Sequence, residues 1–243
     1  MKFQLFRAIA TFISTLAYLP RGVMRFENRT AAGQLLAAQL HPYANRDDVI
    51  VLALPRGGVP VGFEVAKGLN AALDILVVRK LGVPGHEELA MGAIAPGGVQ
   101  TLNHHIVLSS RVDDTAIMQV IAQEQQELAR REQLYRSDRS SLTLRDRTVI
   151  LVDDGLATGA TMRVAVQAVR QQQPARIVVA VPVAAPETCQ ELGQEVDQII
   201  CAETPQRFSS VGSWYEDFSQ TTDEEVRTLL KAAIEFTPSA MIS

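Results

Sequence analysis

Cysteine, positive charge and long apolar runs are what this sequence has least of. Its 243 residues hold two cysteines, Cys189 and Cys201. That is too few for a disulfide framework, and their spacing is not that of a metal site. Two buried or half-buried thiols in a reducing compartment are expected. The formal net charge of −4 argues against a nucleic-acid surface, which needs a basic excess to neutralise phosphates. It leaves room for a small anion held by a few local cations. No GxxxxGK[ST] loop occurs, and GGVPVG at 57–62 is not the GxGxxG dinucleotide fingerprint. No Ser–His–Asp or Cys–His set stands out. His86, His104 and His105 have no third ligand at metal spacing.

Membrane insertion is not expected either. The apolar run Ala8–Leu19, preceded by Lys2 and Arg7, is shorter than the roughly 20 residues that span a bilayer. A weak signal sequence and an amphipathic anchor both remain open for it. The simplest reading sets residues 1–23 apart as an N-terminal extension. Residues 24–243 then form one domain, with MRFENRTAAGQLLAAQL as its start. Asn28 or Thr30 caps a helix that carries Leu35, Leu36 and Leu40 on one face.

What is present is an alternation of apolar runs and helical patterns in a chain 47% hydrophobic and 21% charged, a composition typical of globular domains. Val49–Leu54 reads as a strand covered on both faces, and PRGG and a helix over Val59–Leu69 follow. Leu73–Val78 is a second strand, followed by RKLG. Residues 81–105 are rich in glycine, with alternating segments AMGAIA and VQTLN around PGG, which suggests a hairpin or a mobile excursion. A long polar helix is expected over Val112–Tyr135, where Glu–Arg pairs at i,i+4 spacing suit a solvated face. Then come strands at Thr148–Val152, Arg176–Pro182 and Gln198–Cys201, helices at Ala160–Gln172 and Glu187–Leu192, a segment Phe208–Phe218, and a last helix from Asp223 to about Glu235. Strands alternating with helices imply right-handed crossovers and a mainly parallel sheet, Rossmann-like and flanked by helices. In such α/β sheets ligands bind at the carboxyl ends of the strands, near the point where strand order reverses.

One strand end carries the strongest signal. VILVDDGLATGATM, Val149–Met162, places two adjacent carboxylates at the edge of a buried strand and then only small or hydroxyl residues up to a helix. Asp153 and Asp154 can accept hydrogen bonds from a vicinal diol, or hold a hard cation through water. Ala157, Thr158, Gly159, Ala160 and Thr161 can wrap backbone N–H groups around a phosphate, because no bulky side chain keeps it away. The helix that follows turns its positive end to the same place. A diol binder beside a phosphate binder describes a ribose 5-phosphate.

This stretch resembles the phosphoribosyl diphosphate (PRPP) motif of type I phosphoribosyltransferases, most of all the form found in adenine phosphoribosyltransferases. PRGG after the first strand is similar to that family's pyrophosphate loop, and the excursion at 81–105 falls where the family carries a flexible lid hairpin. The resemblance covers about residues 24–205. It implies the type I fold with a small hood, and transfer of 5-phosphoribosyl from PRPP to a nitrogenous base with release of pyrophosphate, dependent on Mg²⁺. By the same resemblance, Asp153 and Asp154 bind the ribose hydroxyls and meet the metal through water or PRPP. Ala157 to Thr161 hold the 5-phosphate, and Arg56, Gly57 and Gly58 face the pyrophosphate. A cytoplasmic salvage enzyme and a homodimer are also implied.

Other candidates follow from position. Lys80, with Arg79, follows the second expected strand, where a cation could meet the departing pyrophosphate. Trp214 and Tyr215 lie in the expected hood, where rings either stack on a base or simply pack. Glu87, Glu88, Glu124 and Glu127 are candidates for a general acid or base. Gly155 stands where the family usually has an aliphatic residue, which suggests a more flexible loop entrance. Ala157 stands where hypoxanthine–guanine enzymes have an aspartate, so the acceptor base is not identified. A PRPP-binding regulator, or a hydrolase of a phosphorylated ribose or nucleotide, would keep the same site.

Overall fold

The computed structural model describes residues 25–136 and 142–236. The expectations for residues 1–23, and for Met24 as a start, lie outside the described residues. Helix α1 (Arg29–Gln39) leads into β1 (Val49–Ala53), α2 (Gly58–Leu69) and β2 (Ala72–Ile75). Next come β3 (Arg79–Val83), β4 (His86–Ala95), β5 (Val99–Leu102), a short α3 (His104–Ser109) and the long α4 (Asp114–Arg136). The rest is β6 (Thr148–Val152), α5 (Ala160–Gln171), β7 (Arg176–Val183), α6 (Pro186–Gly193), β8 (Gln198–Glu203) and α7 (Asp223–Ala232). Asn28 caps α1 by accepting the Ala31 N–H at 2.9 Å, as its position before the apolar stripe suggests.

The central sheet has the order β2-β1-β6-β7-β8, and all its pairs are parallel. Its runs are continuously apolar because both faces are covered. Val49, Val51, Ala53, Ile150 and Val152 join the core under α1, α2, α4 and α7. Ile50, Leu52, Val149 and Leu151 point the other way, into the core under α5 and α6. From β1 the chain steps outward to β2, then returns to the opposite side of β1 as β6. Strand order therefore reverses between β1 and β6, where Ala53 pairs with Val152. The loops Pro55–Gly58 and Asp153–Gly159 leave side by side at that point.

The second strand ends earlier than its apolar run. After Ile75 the chain leaves the central sheet, and β3 opens a separate antiparallel sheet, β3-β4-β5. The hairpin around PGG is present as β4 and β5, joined through Gly97 at φ 78° and Gly98 at φ 78°, backbone that glycine adopts without penalty. Leu81, Met91 and Ile94 are buried against the larger core, so the base of this sheet is a packed layer.

The cysteine expectation is corrected. Cys189 on α6 and Cys201 on β8 are joined as a disulfide, because α6 folds back on the strand that follows it and brings the two sulfurs together.

Candidate active site

Asp153 and Asp154 sit just past the carboxyl end of β6. The Asp154 N–H donates to Asp153 Oδ1 at 2.8 Å. Asp154 Oδ2 receives two contacts from one guanidinium, Arg29 Nε at 2.9 Å and Nη2 at 2.8 Å. Each carboxylate therefore has one oxygen engaged. Asp153 Oδ2 and Asp154 Oδ1 accept no hydrogen bond among the described residues. A vicinal diol needs such a pair of acceptors. Burial pushes the Asp153 carboxyl well above the usual carboxylate range, and the neighbouring Asp154 charge adds to it. Burial also raises Asp154, against the pull of Arg29.

The PRGG loop packs directly on this pair. A Cβ placed on Gly57 would lie 2.0 Å from Asp154 Oδ2, and one on Gly58 would lie 2.8 Å from the Val152 oxygen and 2.9 Å from Asp153 Cα. Glycine is needed at both places for close approach, and the two loops form one surface. The Pro55–Arg56 peptide is cis. The Arg56 side chain is one-third exposed, with Nη1 3.7 Å from Asp223 Oδ1 at the start of α7. Asp223 in turn accepts from the Tyr135 hydroxyl.

Ala157, Thr158, Ala160 and Thr161 are exposed, while Gly159 is buried. Among the described residues none of the backbone N–H groups from Ala157 to Thr161 donates to a protein acceptor. The carbonyls point the other way and are held. Thr188 Oγ1 donates to the Ala157 oxygen at 2.6 Å, and Arg163 Nη1 to the Thr158 oxygen at 3.0 Å. Gly159 has φ 70°, which turns the chain into α5. Five free donors at the start of a twelve-residue helix can receive an anion. The expectation of a flexible entrance at Gly155 is corrected. A Cβ there would meet Val211 Cγ1 at 2.6 Å and the Val183 oxygen at 3.0 Å, so that glycine serves close packing.

The remaining candidates lie elsewhere. Lys80 belongs to β3 rather than to the end of the second central strand, and Nζ is 3.3 Å from Glu88 Oε2 and from the Glu88 carbonyl. Arg79 pairs with Glu124 at 2.7 Å. Glu87 Oε1 accepts the Gly85 N–H. Glu127 is bound by Arg130 and Arg131, whose hydrogen bonds lower it to about 2, too acidic for proton transfer near neutrality. Trp214 and Tyr215 are both buried. They are 8% and 4% exposed and pack with Phe26 and Val183. The Tyr215 hydroxyl donates to the Asp154 carbonyl at 2.6 Å, and burial raises its pKa. Tyr215 thereby supports the motif from behind.

Sequence reasoning missed Arg29, Thr188 and Arg163, all of which hold the motif. Arg163 and Thr188 carried a usable signal, since one lies a turn into the motif's own helix and the other just after the next strand. Arg29 carried none, at a sequence separation of 125 from Asp154.

Two carboxylates and a run of free N–H groups lie together at the strand-order reversal of a parallel α/β sheet, with a glycine loop packed on them, an arrangement that can take a diol and an anion. The chain belongs to the phosphoribosyl transferase domain family, whose description matches residues 25–210. It is 43% identical over 208 residues to "Putative phosphoribosyl transferase Rv0571c" of Mycobacterium tuberculosis, a match covering 86% of this chain and 47% of that protein. A second protein of the same species, "Putative phosphoribosyl transferase MT0597", matches equally. The chain thus spans about half the length of these curated relatives. Among solved structures it is similar to TT1426 from Thermus thermophilus, with 41% identity and a TM-score of 0.73, covering 88% of this chain and all of that one.

Proposed function

We propose that this protein transfers the 5-phosphoribosyl group of PRPP to a nitrogenous base, with release of pyrophosphate. The observation that carries the reading is the run of five free N–H groups over Ala157–Thr161 beside one uncommitted oxygen on each of Asp153 and Asp154. That set matches the two ends of a ribose 5-phosphate, and the family membership agrees with it.

In this reading the N–H run is a cradle for the 5-phosphate, and the two carboxylates accept from the ribose hydroxyls. Both fix the sugar while positive charge develops at its anomeric carbon, and the nearby carboxylates stabilise that charge. Arg56 leaves its long contact with Asp223 to meet the diphosphate, for which a guanidinium fork is suited. Lys80, on the lid sheet, reaches the diphosphate only if that sheet closes.

The donor set does not suit a metal held by protein alone. Among the described residues no group of three or more His, Cys, Asp or Glu side chains could hold one. It would suit Mg²⁺ met through water or PRPP, with Asp153 and Asp154 as the residues that would hold it. Bound there, Mg²⁺ would neutralise charge on the leaving group. Among the described residues no helix is long and apolar enough to cross a membrane. Nucleotide salvage, a cytoplasmic setting and a homodimer complete the proposal.

Incubation with PRPP, Mg²⁺ and a panel of purine and pyrimidine bases tests the reaction. Pyrophosphate release that depends on one base is the expected result. Release without any base would make the protein a hydrolase, and binding without release would make it a PRPP-responsive regulator. Thr188→Val checks the cradle. Loss of the hydroxyl is expected to raise the KM for PRPP about three- to tenfold, the scale of one hydrogen bond, with kcat little changed.

A further inference from the structure

Three distant stretches of the chain meet at one side chain, Arg29. Its Nε and Nη2 sit on Asp154 Oδ2 at 2.9 and 2.8 Å, and its Nη1 donates to the Ser219 carbonyl at 2.7 Å. Its guanidinium carbon lies 4.0 Å from the centre of the Phe218 ring and 5.9 Å from that of Tyr215. The side chain is only 11% exposed. The backbone around it is stitched to the same tail. The Phe26 N–H donates to Trp214, the Glu216 N–H to Phe26 and the Asp217 N–H to Glu27, at 2.8, 2.8 and 2.9 Å. The Tyr215 hydroxyl closes the circuit on the Asp154 carbonyl. A planar fork bonded on two edges and covered on one face is fixed in orientation, a task lysine does not perform.

We propose that Arg29 is a positioning residue that couples the tail at 214–219 to the carboxylate pair, holding Asp154 with Oδ2 turned inward and Oδ1 presented to the ligand only while the tail is seated. The inference rests on the reading that this pair binds PRPP. Arg29 touches Asp154 and not the ligand. It meets Phe218 on one side and Asp154 on the other, so a loosened tail weakens PRPP binding without any change in the cradle.

The test is calorimetric titration of Mg²⁺–PRPP into the full chain and into Phe218→Leu, Arg29→Met and the double variant. Phe218 is 38% exposed, so leucine there is expected to leave the fold intact. Phe218→Leu is expected to weaken binding about threefold, and Arg29→Met about tenfold. Phe218→Leu is expected to add nothing once Arg29 is gone, the sign of a shared route in a double-mutant cycle. Equal affinity in Arg29→Met overturns the proposal, and so does a Phe218→Leu effect that persists without Arg29. If Arg29→Met melts below the assay temperature, Arg29→Lys replaces it, keeping the charge and losing the fork. Partial rescue supports the coupling, and full rescue together with retained Phe218 sensitivity overturns it. Failure of the unchanged protein to bind PRPP is a separate outcome, and it sinks the parent reading.

Discussion

Asp154→Ala is expected to destabilise the protein by about 3–5 kcal/mol, the scale of stripping one partner from a buried ion pair. Arg29 and Asp154 are 11% and 15% exposed. Alanine would leave the guanidinium with the Ser219 carbonyl and the Phe218 and Tyr215 rings but without the carboxylate it now bonds. Asp153→Asn is expected to act the other way. Asparagine Oδ1 still accepts the Asp154 N–H, and the substitution removes a carboxylate whose charged form burial disfavours. A carboxyl whose folded pKa lies above its unfolded value destabilises the fold as pH rises through that interval, and the cost vanishes below the unfolded value. Asp153→Asn should therefore melt higher near neutral pH, by roughly 2–4 °C for about 1 kcal/mol in a domain of this size. The gain should shrink toward zero as pH falls to about 4, the unfolded carboxylate range. Thermal melts of both variants across pH check the pair. A destabilised Asp153→Asn would contradict this account of the site's electrostatics.

The second large effect is at Gly58. Its added methyl in Gly58→Ala would sit 2.8 Å from the Val152 oxygen and 2.9 Å from Asp153 Cα. Both belong to the end of a buried strand, so neither yields cheaply, and overpacking of this kind costs about 1–3 kcal/mol. The strain also moves the carboxylate. A shift of a few tenths of an ångström in Asp153 is expected to raise the KM for PRPP at least about tenfold, since misplacement in a preorganised site is costly. Denaturant melts and steady-state kinetics check the two parts separately. A Gly58→Ala variant with unchanged stability and KM would show that the PRGG loop and the carboxylate pair are not packed as described.

Much of this site was legible because its parts are contiguous. β1 and β6 read as unbroken apolar runs, since both faces of each are covered, and the motif's small residues follow in one stretch. Their adjacency required only the rule that ligands bind where strand order reverses. The place of Lys80 on the separate sheet is hidden from the sequence for a physical reason. LDILVV stays apolar to Val78, so nothing local marks the departure from the sheet after Ile75. Leu76 and Val77 are as buried in the crossing as they would be in a strand. Trp214 and Tyr215 carry the same ambiguity, because an aromatic pair packs behind a loop or stacks on a ligand with the same two residues. The Arg29 contact and the Cys189–Cys201 bond depend on which helix folds back on which strand, and local spacing does not encode that.

The central claim is that Asp153 and Asp154 hold the hydroxyls of a phosphorylated ribose. Isothermal titration of Mg²⁺–PRPP into the unchanged protein and into Asp153→Asn near neutral pH tests it most directly, because Asp153→Asn is expected to stay folded. The account predicts binding by the former and a loss of about ten- to a hundredfold in the latter, the worth of a hydrogen bond to a charged acceptor. Equal affinity in the two proteins, or none in either, would contradict it.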